Sequence, residues 1–241
     1  MCGRYTLAAD PQAIADQFEV EPPARFAPRY NIAPTQQVPL IRIAGNDARI
    51  DAARWGLLPT WKKDETGAPL FNARGETVAE KPSFRSAFKA RRGLMVLDGY
   101  YEWRQTENGK QPYFVRPEDG MLFAAALWET GLDRLSTTMV TTEAAESMAW
   151  LHHRLPLFLA ADEVEQWVSG TPEEAAELLA PSRVADTLRW READPAVGSV
   201  RNEYAELTGA GELTDVTELI GAQSGDLVLV NDDDLTYAFI E

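Results

Sequence analysis

Short apolar runs, set off by glycine, proline and asparagine, dominate this chain, and few stretches repeat with the longer period of a helix. The first exception is Asp10-Pro11 ahead of residues 12–18, which reads as a short helix with Asp10 as N-cap and Pro11 in its first turn. Residues 21–34 are proline-rich and predict an irregular surface loop. Residues 38–43 and 48–53 flank an Ala-Gly-Asn turn and predict an antiparallel hairpin. The segment from Trp55 to Trp61 holds too much glycine, proline and tryptophan for a regular element, and residues 62–69 form a polar loop.

Asn72 leads toward a helix that carries Phe84 and Phe88, four apart, on one face. Residues 94–97 read as a buried strand. Asn108-Gly109 predicts a hairpin turn joining the stretch after it to residues 112–115. Residues 122–128, 136–142 and 157–159 add strands, and residues 161–168 and 171–179 read as surface helices, the second capped by Thr171. A last pair of strands is expected at 227–230 and 235–240. Strands outnumber helices and their connections are short, which favours one α+β domain over residues 1–241 with a mainly antiparallel sheet. No internal repeat or linker divides it.

Composition narrows the function. A chain of 241 residues with 45% apolar content can bury a substantial core. No apolar run is long enough to span a membrane, and the start lacks a signal-peptide pattern, so a cytoplasmic location is expected. One cysteine and two histidines make a zinc site improbable. The net charge of −15 argues at first against nucleic acid. However, lysine occurs only at 62, 63, 81, 89 and 110, and the other eighteen basic residues are arginine. An acidic, lysine-poor surface is the pattern of proteins soluble in strong brine, so the charge reflects the solvent more than the ligand. Loss of structure in low salt is the expected mark of such a source.

Cys2 is the first candidate for chemistry. Removal of Met1, usual before a small residue, leaves a free amine and a thiol on adjacent carbons. Such a 1,2-aminothiol condenses with an aldehyde to an imine and closes to a thiazolidine. An α-amine has a pKa near 8 against about 10.4 for lysine, which gives it roughly a two-hundred-fold larger neutral fraction at pH 7. Cys2 also fits the role of a small buried residue near a strand start. Glu102, between Tyr101 and Trp103, is either an acid–base group or half of a salt bridge. His152 reads as a proton donor or a satisfied core histidine. Asn72 suits a helix cap or a hydrogen-bonding clamp, and Arg74 and Arg154 suit phosphates or carboxylates.

Six motifs then recur in order: residues 1–7 (MCGRYTL), 30–35 (YNIAPT), 55–61 (WGLLPTW), 72–77 (NARGET), 98–103 (DGYYEW) and 152–156 (HHRLP). In this order they resemble the SRAP family, the abasic-site processing proteins, over about residues 1–202, which leaves 203–241 as a closing segment. The resemblance implies a curled, barrel-like β core with peripheral helices. It implies that Cys2 attacks the ring-opened aldehyde of an abasic site in single-stranded DNA and ends as a thiazolidine crosslink. Asn72 is implied to position the Cys2 amine, Glu102 to act as acid and base, and His152 to help open the sugar ring. Arg4, Arg74 and Arg154 are implied phosphate contacts. Asn31, Pro34 and Thr141 are implied to line the DNA path, with Trp61 and Trp103 offering apolar faces.

No metal or organic cofactor, no membrane and a monomer are expected, together with a possible peptidase activity that removes Met1. Gly75 stands where alanine is commoner, and Leu155 where methionine is usual; neither removes a reactive group. Two other classes compete. Glutamine amidotransferases with an N-terminal nucleophile also begin Met-Cys-Gly and use the Cys2 thiol. A non-covalent single-stranded DNA-binding module would leave Cys2 merely structural.

Overall fold

The computed structural model describes residues 2–20, 27–44 and 47–217. Its centre is a closed five-stranded barrel. β3 (Gln37–Ala44) and β4 (Asp47–Trp55) form the expected hairpin, in register from Gln37 opposite Arg54 to Ala44 opposite Asp47. β6 (Arg92–Leu97) pairs with β3 on one side and β9 (Leu122–Gly131) on the other, and all six of its residues are buried. β10 (Arg134–Glu143) closes the ring, antiparallel to β9 and parallel to the end of β4. The β9–β10 connection turns on Leu132 and Asp133, both with positive φ.

A second, six-stranded antiparallel sheet packs against this barrel. Its order is β13 (Thr214–Asp215), β12 (Leu188–Glu192), β8 (Gly109–Pro117), β7 (Gly99–Thr106), β1 (Arg4–Leu7) and β2 (Arg29–Ile32). The strand period of two divides its residues. Tyr5, Tyr100, Tyr113, Val115 and Leu188 join the main core between the layers. Tyr101 and Phe114 face away and build a smaller cluster with Ala193, Val197 and Leu207.

Helices stay at the periphery. α1 (Pro11–Gln17) has the expected cap, Gln12 N donating to the Asp10 carboxylate at 2.9 Å. α4 (Val164–Ser169) follows a single 3₁₀ turn, and α5 (Pro172–Glu177) opens on a Thr171–Glu174 capping box. Arg92, although buried, is satisfied: its guanidinium donates to the carbonyls of Phe88, Trp167 and Gly170, which ties strand β6 to the helices outside it.

Several expectations are corrected. The loop foreseen over 21–34 contains strand β2, because Arg29 and Ile32 pair with Leu7 and Tyr5 of β1; residues 21–26 lie outside the described part. The hairpin turn is Glu107-Asn108, with Gly109 just beyond it at φ +122°. The strand foreseen at 157–159 lies earlier, as β11 (Arg154–Pro156), and Phe158 makes only an isolated bridge to Ala124. Strands β12 and β13 were not foreseen. The strands expected at 227–230 and 235–240 lie outside the described residues.

Candidate active site

Both layers contribute to one cluster. From the six-stranded sheet comes Cys2, immediately before β1. Arg4 is paired with Tyr101, the residue before Glu102, and the Cys2 thiol feels the Glu102 carboxylate. From the barrel comes Asn72, in β5 (Asn72–Arg74), which lies parallel to β10. Asn72 is therefore a strand residue and not a helix cap; the helix that follows, α2 (Gly75–Val78), has Arg74 at its N-cap position. A separate helix, α3 (Arg85–Ala90), carries Phe88, while Phe84 stands just before it at the N-cap position.

The Asn72 side chain connects the layers. Its Nδ2 donates to the Cys2 carbonyl at 2.7 Å. Its Oδ1 is buried and has no hydrogen-bond partner among the described residues. A buried amide with one end fixed and an acceptor left over is expensive unless something else donates to it. The fixed end also settles which way the amide points, since only the NH₂ can donate to a carbonyl.

Cys2 is 1% exposed. Burial, and then the nearby Glu102 carboxylate, push its thiol well above the ordinary value. The sulfur is thus held as a neutral thiol at pH 7, which is a weak nucleophile for a first attack. Tyr5 and Tyr100, cross-strand partners next to Cys2, are fully buried, and their hydroxyls have no partner among the described residues. Glu102 is 4% exposed, and its Oε1 accepts from Trp103 N at 3.2 Å.

His152 precedes β11. Burial lowers its pKa below the ordinary value, and the negative charge of Glu102 opposes that shift only partly. The imidazole is consequently neutral at pH 7. His152 Nδ1 lies 2.9 Å from Arg154 N and 3.3 Å from the Arg154 carbonyl oxygen, so the backbone of Arg154 fixes the ring. His153 stacks on His152 with ring centroids 4.3 Å apart.

The other expected site residues fall into two groups. Arg4, Asn31, Thr141 and Arg154 are engaged inside the protein. Arg4 donates to Asn31 Oδ1 at 2.8 Å and to the Val197 carbonyl at 2.6 Å. Asn31 is fully buried and its Nδ2 donates to the carbonyls of Ser199 and Asn202, so it orders the segment after β12 and does not face solvent. Arg154 forms a bidentate pair with Glu76 and donates to the Thr141 carbonyl at 2.6 Å; Thr141 is itself fully buried. In the second group, Arg74 and Trp61 are exposed, and Pro34 and Trp103 are half-buried. Trp103 packs on the Tyr101–Phe114 cluster, on the face of β7 opposite Glu102.

Sequence reasoning missed Glu76 as the partner of Arg154. The reversal of charge between residues 74 and 76 was its only trace. It also missed Glu203, which accepts from Arg29 Nε at 2.9 Å and Asn31 N at 2.9 Å and so ties the start of the closing segment to β2. Two sizeable clefts lie away from the cluster. One, of about 630 Å³, is lined by Phe18, Phe123 and Val168; the other, of about 430 Å³, by Asp98, Arg116 and Arg191. Neither contains a pair of groups converging on a reactive terminus.

Comparison with known proteins identifies the family. The family described as SOS response associated peptidase (SRAP) matches residues 1–200. The abasic site processing protein YoaM of Bacillus subtilis is 36% identical over 224 residues, covering 87% of this chain and 98% of that protein. The abasic site processing protein YedK of Escherichia coli is 32% identical over 223 residues, covering 86% and 98%. A crystal structure of a protein from Bacteroides thetaiotaomicron shares the fold, with a TM-score of 0.76 at 21% identity over 88% of this chain and all of that one. With a family match over residues 1–200 and a relative 36% identical over nearly its whole length, the chain belongs to the SRAP family.

Proposed function

We propose that this chain captures the ring-opened aldehyde of abasic sites in single-stranded DNA and holds it as a thiazolidine on Cys2. The observation that carries the reading is the Asn72 amide: it grips the Cys2 carbonyl while its buried Oδ1 stays available to accept from the Cys2 amine. Relatives named as abasic site processing proteins over nearly their whole length supply the substrate class.

In this mechanism Met1 is removed first, by the chain itself or by another peptidase. Neutral His152 donates a hydrogen bond to the sugar ring oxygen as the deoxyribose opens to its aldehyde. The neutral Cys2 amine then adds to the carbonyl carbon. The raised pKa of the thiol supports this order, because a neutral sulfur is a poor first nucleophile. Glu102 takes a proton from the nitrogen and returns one to the departing hydroxyl, so that water leaves and an imine remains. The thiol adds across the C=N bond: a C–S bond forms, and the thiol proton ends on nitrogen. The same pKa shift counts against the amidotransferase reading, which starts with sulfur attack.

The test is a uracil-containing single strand treated with uracil glycosylase, incubated with the processed protein and run under denaturing conditions. A band resistant to denaturant, lost in both Cys2→Ser and Cys2→Ala, is expected. Release of ammonia from glutamine without such a band would favour the amidotransferase class. Undiminished DNA binding by Cys2→Ser, with no band even from the unsubstituted protein, would favour a non-covalent module. A cytoplasmic, monomeric protein without metal or organic cofactor belongs to this proposal; among the described residues, no helix is long and apolar enough to cross a membrane.

A further inference from the structure

The arginines near Cys2 differ in what they are already bound to, and that difference singles out a residue with no role assigned so far. Arg4 already donates to Asn31 and two backbone carbonyls, and Arg154 is paired with the Glu76 carboxylate and donates to Thr141. Arg104 is held in another way. It lies two residues beyond Glu102 on β7, and so on the same face, about 7 Å further along the strand. Its guanidinium sits over the Trp150 ring, 5.6 Å from the centroid. Trp150 is in turn packed against Trp190 and Tyr113, with centroids 4.8 and 5.2 Å away.

The polar neighbour of Arg104 is the Tyr113 hydroxyl, which lies between Arg104 and Glu192. No described carboxylate comes within ion-pair distance of Arg104. An aromatic shelf fixes the guanidinium plane without neutralising its charge, and it leaves N–H donors of fork geometry unspent. In a chain of net charge −15, an arginine kept off the acidic residues beside a buried reactive terminus is a selective feature and not background.

Resting on the function proposed above, the geometry points to Arg104 as a phosphate contact that holds the DNA strand as it leaves the abasic sugar, with Trp150 as the platform that aims it. The ligand class is the phosphodiester of single-stranded nucleic acid. Arg104 is a binding residue in this scheme and takes no part in proton transfer.

The experiment measures equilibrium binding of the processed protein to a single strand carrying a tetrahydrofuran abasic analogue, which cannot open to an aldehyde, across a salt series. Arg104→Gln is expected to weaken binding about tenfold at low salt. It should also flatten the slope of log affinity against log salt by about 0.7, the value of one contact on a single strand. Arg104→Lys, which keeps the charge and loses the flat stack, is expected to keep the slope. Arg183→Gln, at an exposed arginine paired with Asp162 and Glu163, serves as the unchanged control. An unchanged slope in Arg104→Gln overturns the proposal. So does an equal loss of slope in the Gln and Lys variants, because that would mark a packing role. If the unsubstituted protein neither binds this strand nor crosslinks to a true abasic site, the function itself falls, and this inference with it.

Discussion

Asn72 Nδ2 donates to the Cys2 carbonyl at 2.7 Å, and this one bond joins the strand beside β10 to the chain start beside β7. Because the donor must be an NH₂, the two ends of the amide are not interchangeable. Asn72→Asp replaces the donor with an anion facing a carbonyl. Its crosslinking rate is expected to fall by an order of magnitude or more, with a stability loss of about 1–3 kcal/mol. Rates by denaturing gel and midpoints in urea check the two effects separately; a variant that crosslinks at the original rate would remove Asn72 from the mechanism.

The Glu76–Arg154 pair is expected to act on stability. The Arg154 side chain is 8% exposed and that of Glu76 46%, so removing the carboxylate strands a buried cation while water still reaches its partner's side. Glu76→Gln should cost about 1–2 kcal/mol, less than a fully buried pair. Hydrogen bonding from Arg154 holds the Glu76 carboxyl below its usual range. Its contribution is therefore complete above about pH 4.5 and is lost as pH falls through the depressed value. Urea midpoints at pH 7 and pH 3.5 should show the gap between the two proteins closing at the acid end.

His152 gives a signal in a different pH range. Burial keeps its folded pKa below 6.5, so the fold is penalised when the pH drops below that of the free side chain. His152→Gln removes the penalty. Relative to the unsubstituted chain, the variant should therefore gain stability between pH 7.5 and pH 5, and it should crosslink more slowly at both. A stability difference independent of pH would mean that His152 is not held neutral.

Gly99 opens β7 directly after Asp98, where a Cβ would stand 2.6 Å from the Phe114 ring and 2.7 Å from the Val115 carbonyl. Backbone cannot yield as a flexible side chain does, so Gly99→Ala should cost about 2–3 kcal/mol. Thermal unfolding checks it; a neutral result would mean that β7 and β8 leave room for a methyl group at this position.

Much of this architecture is legible in the residues themselves. Asp10-Pro11 and Thr171-Pro172 announce helix starts because their side chains satisfy local N–H groups, and the 38–53 hairpin shows in its alternation. What the sequence hid is non-local. Strand β2 lies in a proline-rich stretch and exists because Tyr5 and Leu7 offer it an edge. β12 reads as charged (Leu-Arg-Trp-Arg-Glu), yet its whole length pairs with residues 113–117 of β8. The role of Asn72 was open between cap and clamp, since only the tertiary contact with Cys2 distinguishes them. Arg4, Arg154, Asn31 and Thr141 are implied by the family resemblance to face DNA, whereas their polar groups are engaged within the protein. Which arginines remain available depends on which carboxylates the fold brings near, and spacing along the chain does not show that.

The central claim is covalent capture by a liberated amine and its neighbouring thiol, and the mass of the product tests it most directly. Incubation with an abasic single strand, without reductant, should give a species whose intact mass equals the chain lacking Met1 plus the oligonucleotide minus one water. Peptide mapping should place the link on Cys2. An adduct on a chain that keeps Met1, a link at a lysine, or no adduct at all would contradict the account.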